Sequence, residues 1–397
     1  MKQNNPTRDM LVKTLLATAA TAVALPASAQ SSVTLYGVVD DALTYVSNQS
    51  GHANVYLRQG NLYASKFGIK GTEDLGGGLA AIFDLQAGFD TNTGAAASSG
   101  SLFNRQSYVG LSQRGYGAVT LGRQYTPYFQ FVGPLSSVNL LTGATGAHPG
   151  DLDGMDTTIR ANNAVVYTSP QWYGMQASVM YAAGGIAGST GRGQSWSGAL
   201  RYTRGPLALA AGYLQMDNAY TSTTSAAFDS TSTGGFGVSA VNRGYVSARS
   251  VRDVALAANY AFGAVLAGLS YSNVRYLPGA RSLFTDTAAF NTYGAFARWS
   301  LTPAVDIAAG YSYTLASKAN GVDSAARYQQ VSVRQSYRLS KRTSLYALEA
   351  WQHAGGQTLD ASGGVIDAAP VVGDSQNLTP SSTRSQFVGM LGMAVSF

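Results

Sequence analysis

Three observations predict an all-β chain closed into a transmembrane antiparallel β-barrel of 16 strands. The first is composition: 397 residues include 46 Gly, 24 Tyr and 14 Phe but only 12% charged residues, where an ordinary soluble protein has about 25%. The second is a period-two alternation of apolar and polar residues, the pattern of a strand between two media. The third is that short links between candidate strands take turns with long ones. A bacterial barrel has this asymmetry, with an even strand number and strands of ~10 residues that are apolar outside and polar inside. A soluble sandwich has no reason to keep it. Beyond the N-terminal leader no run approaches the ~20 consecutive apolar residues of a membrane helix, so the aromatic and Gly excess falls to strands.

In chain order, Lys2, Arg8 and Lys13 precede an apolar run around Leu15 to Leu25, then Pro26 and the small-residue site Ala27-Ser28-Ala29. Residues 1–29 therefore read as a secretory signal peptide, which leaves 30–397 as one barrel domain starting at Gln30. Losing three bases and Asp9 lowers the formal charge from +6 to +4, too little to argue for a nucleic-acid partner. Strands are expected at 33–46, 55–73, 78–90, 102–113, 117–126, 160–169, 174–183, 194–204, 207–216, 250–263, 264–275, 290–302, 304–314, 326–340, 343–353 and 384–397.

The hairpin Ser65 to Leu85 shows the logic. Lys66, Gly68, Lys70 and Thr72 share one face, Phe67, Ile69 and Gly71 the other, and after the turn Glu73 to Gly78 the return strand sets Asp84 and Gln86 beside the lysines. Arg201, Arg298, Arg334 and Arg338 likewise oppose apolar or aromatic positions. An Arg facing lipid at the bilayer midplane costs ~2 to 4 kcal/mol, which assigns these faces to a water-filled lumen. Tyr36, Tyr45, Tyr125, Tyr181, Tyr260 and Tyr276, near strand ends, suit interfacial girdles. Loops 217–249 and 354–383, rich in Ser, Thr, Gly and Ala, read as external and mobile.

The chain has no Cys and three His. His52, His148 and His353 are isolated in loops or loop edges, and no metal-ligand, nucleophile-elbow or phosphate-loop pattern occurs. No cofactor or metal is expected.

Ser31 to Asp40, Ser65 to Leu85, Asn104 to Ser112, Val119 to Pro127, Arg160 to Pro170 and the terminal Phe397 resemble the trimeric general porins of Gram-negative outer membranes, of the sixteen-stranded type. The likeness covers the first 170 residues and is mainly architectural from 171 to 383. It implies a homotrimer in outer-membrane lipid and a third external loop, here about 127–159, folded into the barrel. It also implies acidic loop residues facing a basic wall. The matching wall residues are Lys66, Lys70, Arg105 and Arg160, with Arg123 at the loop's foot; the available acids are Asp151, Asp153 and Asp156. Strand parity sets Arg105 with Val109 and Leu111, and Arg123 with Val119 and Leu121. Both arginines are nevertheless placed inside, because near the rim an apolar residue tolerates the lumen more cheaply than Arg tolerates lipid, with Gly110 or Gly122 available for a bulge. Phe397 is expected to dock the last strand beside the first.

The function expected is passive diffusion of small hydrophilic solutes and ions, with a preference for anions. Two other classes remain to be weighed: a barrel enzyme, for which His353 near Glu349 and Ser344 is the arrangement to test, and a non-conducting adhesin or structural barrel.

Overall fold

The computed structural model describes residues 31–98, 100–156, 159–219, 239–374 and 379–397; the expected signal peptide, 1–29, lies outside the described residues. The barrel is built from β1 (Ser32–Gln49), β2 (His52–Gln59), β3 (Lys66–Gly76), β4 (Leu79–Gly88), β5 (Gln106–Gln113), β6 (Gly117–Tyr125), β7 (Arg160–Thr168), β8 (Met175–Ala182) and β9 (Ser195–Arg204). It continues through β10 (Leu207–Asp217), β11 (Ser250–Phe262), β12 (Val265–Leu277), β13 (Ala288–Ser300), β14 (Val305–Ala316), β15 (Arg327–Arg338) and β16 (Thr343–Gly355), then after a small hairpin, β17 (Gln357–Leu359) and β18 (Val365–Asp367), ends in β19 (Ser385–Ser396). All pairings are antiparallel, and β19 returns to pair with β1 over Val38↔Ser396 to Val46↔Val388.

The seventeen barrel strands are sixteen staves, because β2 and β3 both pair with β1, over its upper and lower halves. Alternation predicts one strand over 55–73; the structure breaks it at 60–65. The reason is Asp40 on the inner face of β1. Its carboxylate accepts the backbone N–H of Asn61, Leu62 and Tyr63, each at 2.9 Å, and the Tyr346 hydroxyl at 2.7 Å. Four donors satisfy a fully buried acid and pull the segment off the ladder into the lumen.

The last strand closes on the first. Phe397 N–H donates to the Gly37 carbonyl at 3.0 Å and Gly37 N–H returns to Phe397 at 3.2 Å. The Phe397 ring lies over Gly37, where a Cβ would stand 2.4 Å from the ring. With no unpaired edge, the backbone is satisfied within the ladder, as a membrane interior requires.

Parity then sorts the two faces. Along β16, Tyr346, Leu348, Ala350, Gln352 and Ala354 are buried while Leu345 and Trp351 are exposed. Three of the six girdle tyrosines conform: Tyr45, Tyr181 and Tyr260 face out. Tyr36, Tyr125 and Tyr276 face in and are corrections. Tyr36 donates to Asp84 Oδ1 at 2.5 Å, Tyr125 stands at the constriction and Tyr276 is buried against Tyr245.

Loops fill much of the interior. The third loop forms α1 (Pro127–Val132) and α2 (Ser137–Leu141). The first starts where it does because Thr126 accepts the Phe129 N–H at 3.2 Å and Pro127 follows the cap. Its Tyr128, Val132, Leu152 and Met155 join one apolar cluster with Leu214, Val251, Val274 and Phe290 of the wall. Val241 and Tyr245, and Leu359, Val371 and Val372, from the two loops expected to be external, enter the same cluster. Their described parts are folded in, which corrects that expectation.

Candidate functional site: a charged constriction

Wall glycines decide where the third loop lies. A Cβ at Gly212 would stand 2.9 Å from Val132, and one at Gly310 would be 2.3 Å from Leu141. The inner faces of β10 and β14 are thus recessed to seat the loop. Its return is pinned on β15, where Gln330 Nε2 donates to the carbonyls of Thr145 and Ala147, each at 2.9 Å. Behind it, Asp153 Oδ2 meets His148 Nδ1 at 2.6 Å and accepts from Ser272 Oγ of β12 at 2.5 Å. Burial pushes the Asp153 carboxyl up, but His148 and Ser272 outweigh it and hold the group below its ordinary range. His148, read as an isolated loop residue, is buried in this anchor.

The loop leaves a cavity of about 340 Å³ against the opposite wall. Lys66, Arg105 and Arg160 line one side, Asp156 and Asp374 the other, with Phe129, Pro134 and Val138 between. The Tyr125 ring orients two of the arginines: the Arg160 guanidinium lies 5.2 Å from its centre and that of Arg105 6.0 Å. Arg105 escapes outward parity because β5 begins one residue later, so the chain is free to turn its side chain inward. Its Nε donates to Gln86 on the inner face of β4 at 3.0 Å.

Not every expected residue converges. Lys70 faces the lumen two periods of the alternation beyond Lys66, its Nζ 5.2 Å from the Tyr36 ring, outside the cavity lining. Arg123 is held on the barrel wall. Its Nε donates to the Asn104 carbonyl at 2.7 Å and its Nη1 to Asn162, beside a register shift at Gly122 where the extra residue lies in β7. Asp151 accepts the Asp156 N–H at 2.9 Å and, like Asp153, is buried away from the cavity lining. Of the three loop acids, only Asp156 lines it.

Two residues were missed by the sequence reading. Asp374 reaches the cavity from the long loop 354–383, and Arg58 of β2 pairs with it at 3.2 Å. The available signal was the apolar run Ala368-Ala-Pro-Val-Val-Gly-Asp374 inside an otherwise polar loop, which is what a segment that folds back into a core looks like. The rival catalytic arrangement does not assemble. His353 Nδ1 is 3.0 Å from Ser385 Oγ, Glu349 accepts from Gln335 at 3.2 Å, and no hydrogen bond joins His353 to Glu349 or Ser344 among the described residues. No group of three or more His, Asp or Glu side chains among the described residues is placed to hold a metal.

Fold and site together define a transmembrane barrel with a charged lumen narrowed by its third loop. A family model described as Gram-negative porin matches residues 16–354, so the chain belongs to the Gram-negative porin family, whose place is the outer membrane. It is similar to outer membrane porin protein 32 of Delftia acidovorans, 38% identical over 221 residues, 52% of this chain and 60% of that protein. An outer membrane porin protein of Bordetella pertussis is 31% identical over 231 residues, with the same two coverages. The chain thus spans 60% of the length of these curated relatives. Among solved structures, the anion-selective porin from Comamonas acidovorans superimposes with a TM-score of 0.68 at 26% identity, covering 92% of this chain and all of that one.

Proposed function

We propose that the protein is a passive diffusion channel for small hydrophilic solutes and ions that favours anions, works as a homotrimer in outer-membrane lipid, and performs no turnover chemistry. The observation that carries this reading is the cavity, in which Lys66, Arg105 and Arg160 face only Asp156 and Asp374. Low-dielectric walls focus such a field and salt screens it less than at an open surface, so the sign of the lining charge decides what passes. Similarity to an anion-selective porin supports the same sign. The secretory leader at 1–29 and cleavage before Gln30 belong to this proposal and are checked by intact mass.

The test is the zero-current potential of single channels in a salt gradient. Wild type is expected to favour anions, and Lys66→Ala, Arg105→Ala and Arg160→Ala together are expected to move it toward cation preference, less so at high salt. Cation selectivity in wild type, or an unchanged triple variant, overturns the reading. Closure at Phe397 is part of it too: deleting that residue should lower the yield of heat-modifiable trimer on unheated gels.

A further inference from the structure

Two loops far apart in sequence are stitched together at the constriction. Gly373 takes a left-handed conformation, φ 68°, and a Cβ there would stand 2.2 Å from the Ala144 carbonyl. The Gly150 N–H donates to the Gly373 carbonyl at 2.9 Å, and the Asp374 N–H to the Gly143 carbonyl at 3.0 Å. Gly143 touches the other acid as well, since a Cβ there would overlap the Asp156 carboxylate at 1.8 Å. Backbone approaches that only glycine permits therefore hold the carboxylates of Asp374 and Asp156 on one wall of one cavity.

We propose that Asp374 is a specificity-determining residue of this constriction, acting through the negative charge that Asp156 carries opposite the arginines. This rests on the channel reading above. Two neighbouring carboxylates in a buried site do not both ionise freely. The groups that face Asp156 are Asp374 from the long loop, Arg58 from β2, Arg105 before β5 and Arg160 from β7, with Lys66 of β3 across the cavity; the Asp151 carboxylate takes its N–H. Burial and then Asp374 push the Asp156 carboxyl up to about 7, against the pull of Arg105, Arg160 and Arg58. Below that pH Asp156 is protonated and the pore favours anions more strongly; above it Asp156 ionises and the preference weakens.

The test is the anion-to-cation permeability ratio of the full trimer in potassium chloride from pH 5 to pH 9. Wild type should show a downward step centred near pH 7. Asp156→Asn should lack the step and hold the low-pH level throughout, whereas a histidine elsewhere would leave the step in place. Asp374→Asn should move the step to lower pH, because the neighbouring carboxylate is gone while burial still raises Asp156, whereas Asp374→Glu should keep the step where it is. An anion-selective wild type with no step overturns this inference and leaves the channel reading standing, as does an Asp374→Asn channel that titrates like wild type. A wild type with no anion preference at any pH overturns both. Should Asp374→Asn fail to assemble, the wild-type and Asp156→Asn titrations still decide.

Discussion

The two sides of the lumen obey the same alternation and end in opposite environments. On β3 and β4 the inward positions include Lys66, Lys70, Asp84 and Gln86: Lys66 lines the cavity, Lys70 stands by the Tyr36 ring, and Asp84 and Gln86 meet Tyr36 and Arg105. On β10, β13 and β14 the inward positions include Gly212, Gly294, Ala308 and Gly310, and they lie under the third loop. Inward therefore does not mean wet. A wall of long charged side chains keeps a loop away, because burying it there would strand charges; a wall of Gly and Ala leaves a recess that an apolar loop face can fill. The constriction exists because one half of the barrel is built to repel the loop and the other half to seat it.

The charged half should be the more fragile. Replacing Asp40 by Ala removes the acceptor of three backbone N–H groups, two of them buried, and of the buried Tyr346 hydroxyl, a loss of about 3 kcal/mol or more given ~1 to 3 kcal/mol for each buried donor left unsatisfied. The heat-modification temperature of the trimer should fall accordingly; an unchanged temperature would mean that the break at 60–65 is held by something else.

On the seated side, Gly310→Leu adds atoms where Leu141 already stands. Overpacking of this kind costs about 1 to 3 kcal/mol, and the loop is expected to shift before the barrel does, so single-channel conductance and open-channel noise should both rise. The same substitution at Gly263, in a turn with nothing near its Cβ position, tests whether mere loss of glycine explains the change, since φ 60° there brings backbone strain without overpacking. Equal noise in both variants would break the comparison.

The smallest effect concerns the anchor behind the loop. Ser272→Ala removes one hydrogen bond to Asp153, worth about 1 kcal/mol. Because the folded Asp153 carboxyl is held below its ordinary range, its contribution is present in full above about pH 4, the usual value for a free Asp, and fades as pH falls through the folded value. Protease protection of the loop should thus decline as the pH is taken below about 4, with Asp153→Asn lacking the decline.

Alternation, composition and link lengths were enough to predict the barrel, its sixteen staves, the inward direction of Lys66, Arg201, Arg298 and Arg334, and the pairing of the last strand with the first. These follow from local chemistry, since each residue meets either lipid or the interior and a period of two records which. What needed the tertiary structure was every question of which inward residues share a place. Asp156 lines the cavity and Asp153 does not, although they are three residues apart, because Ser272 on a distant strand takes one of them. Asp374 enters from a loop that looked external, because an apolar run beside it finds a core assembled from other loops and from the wall. Strand parity is a property of neighbours in the chain; the constriction is made by segments more than 200 residues apart, whose meeting depends on which recesses the folded wall leaves open.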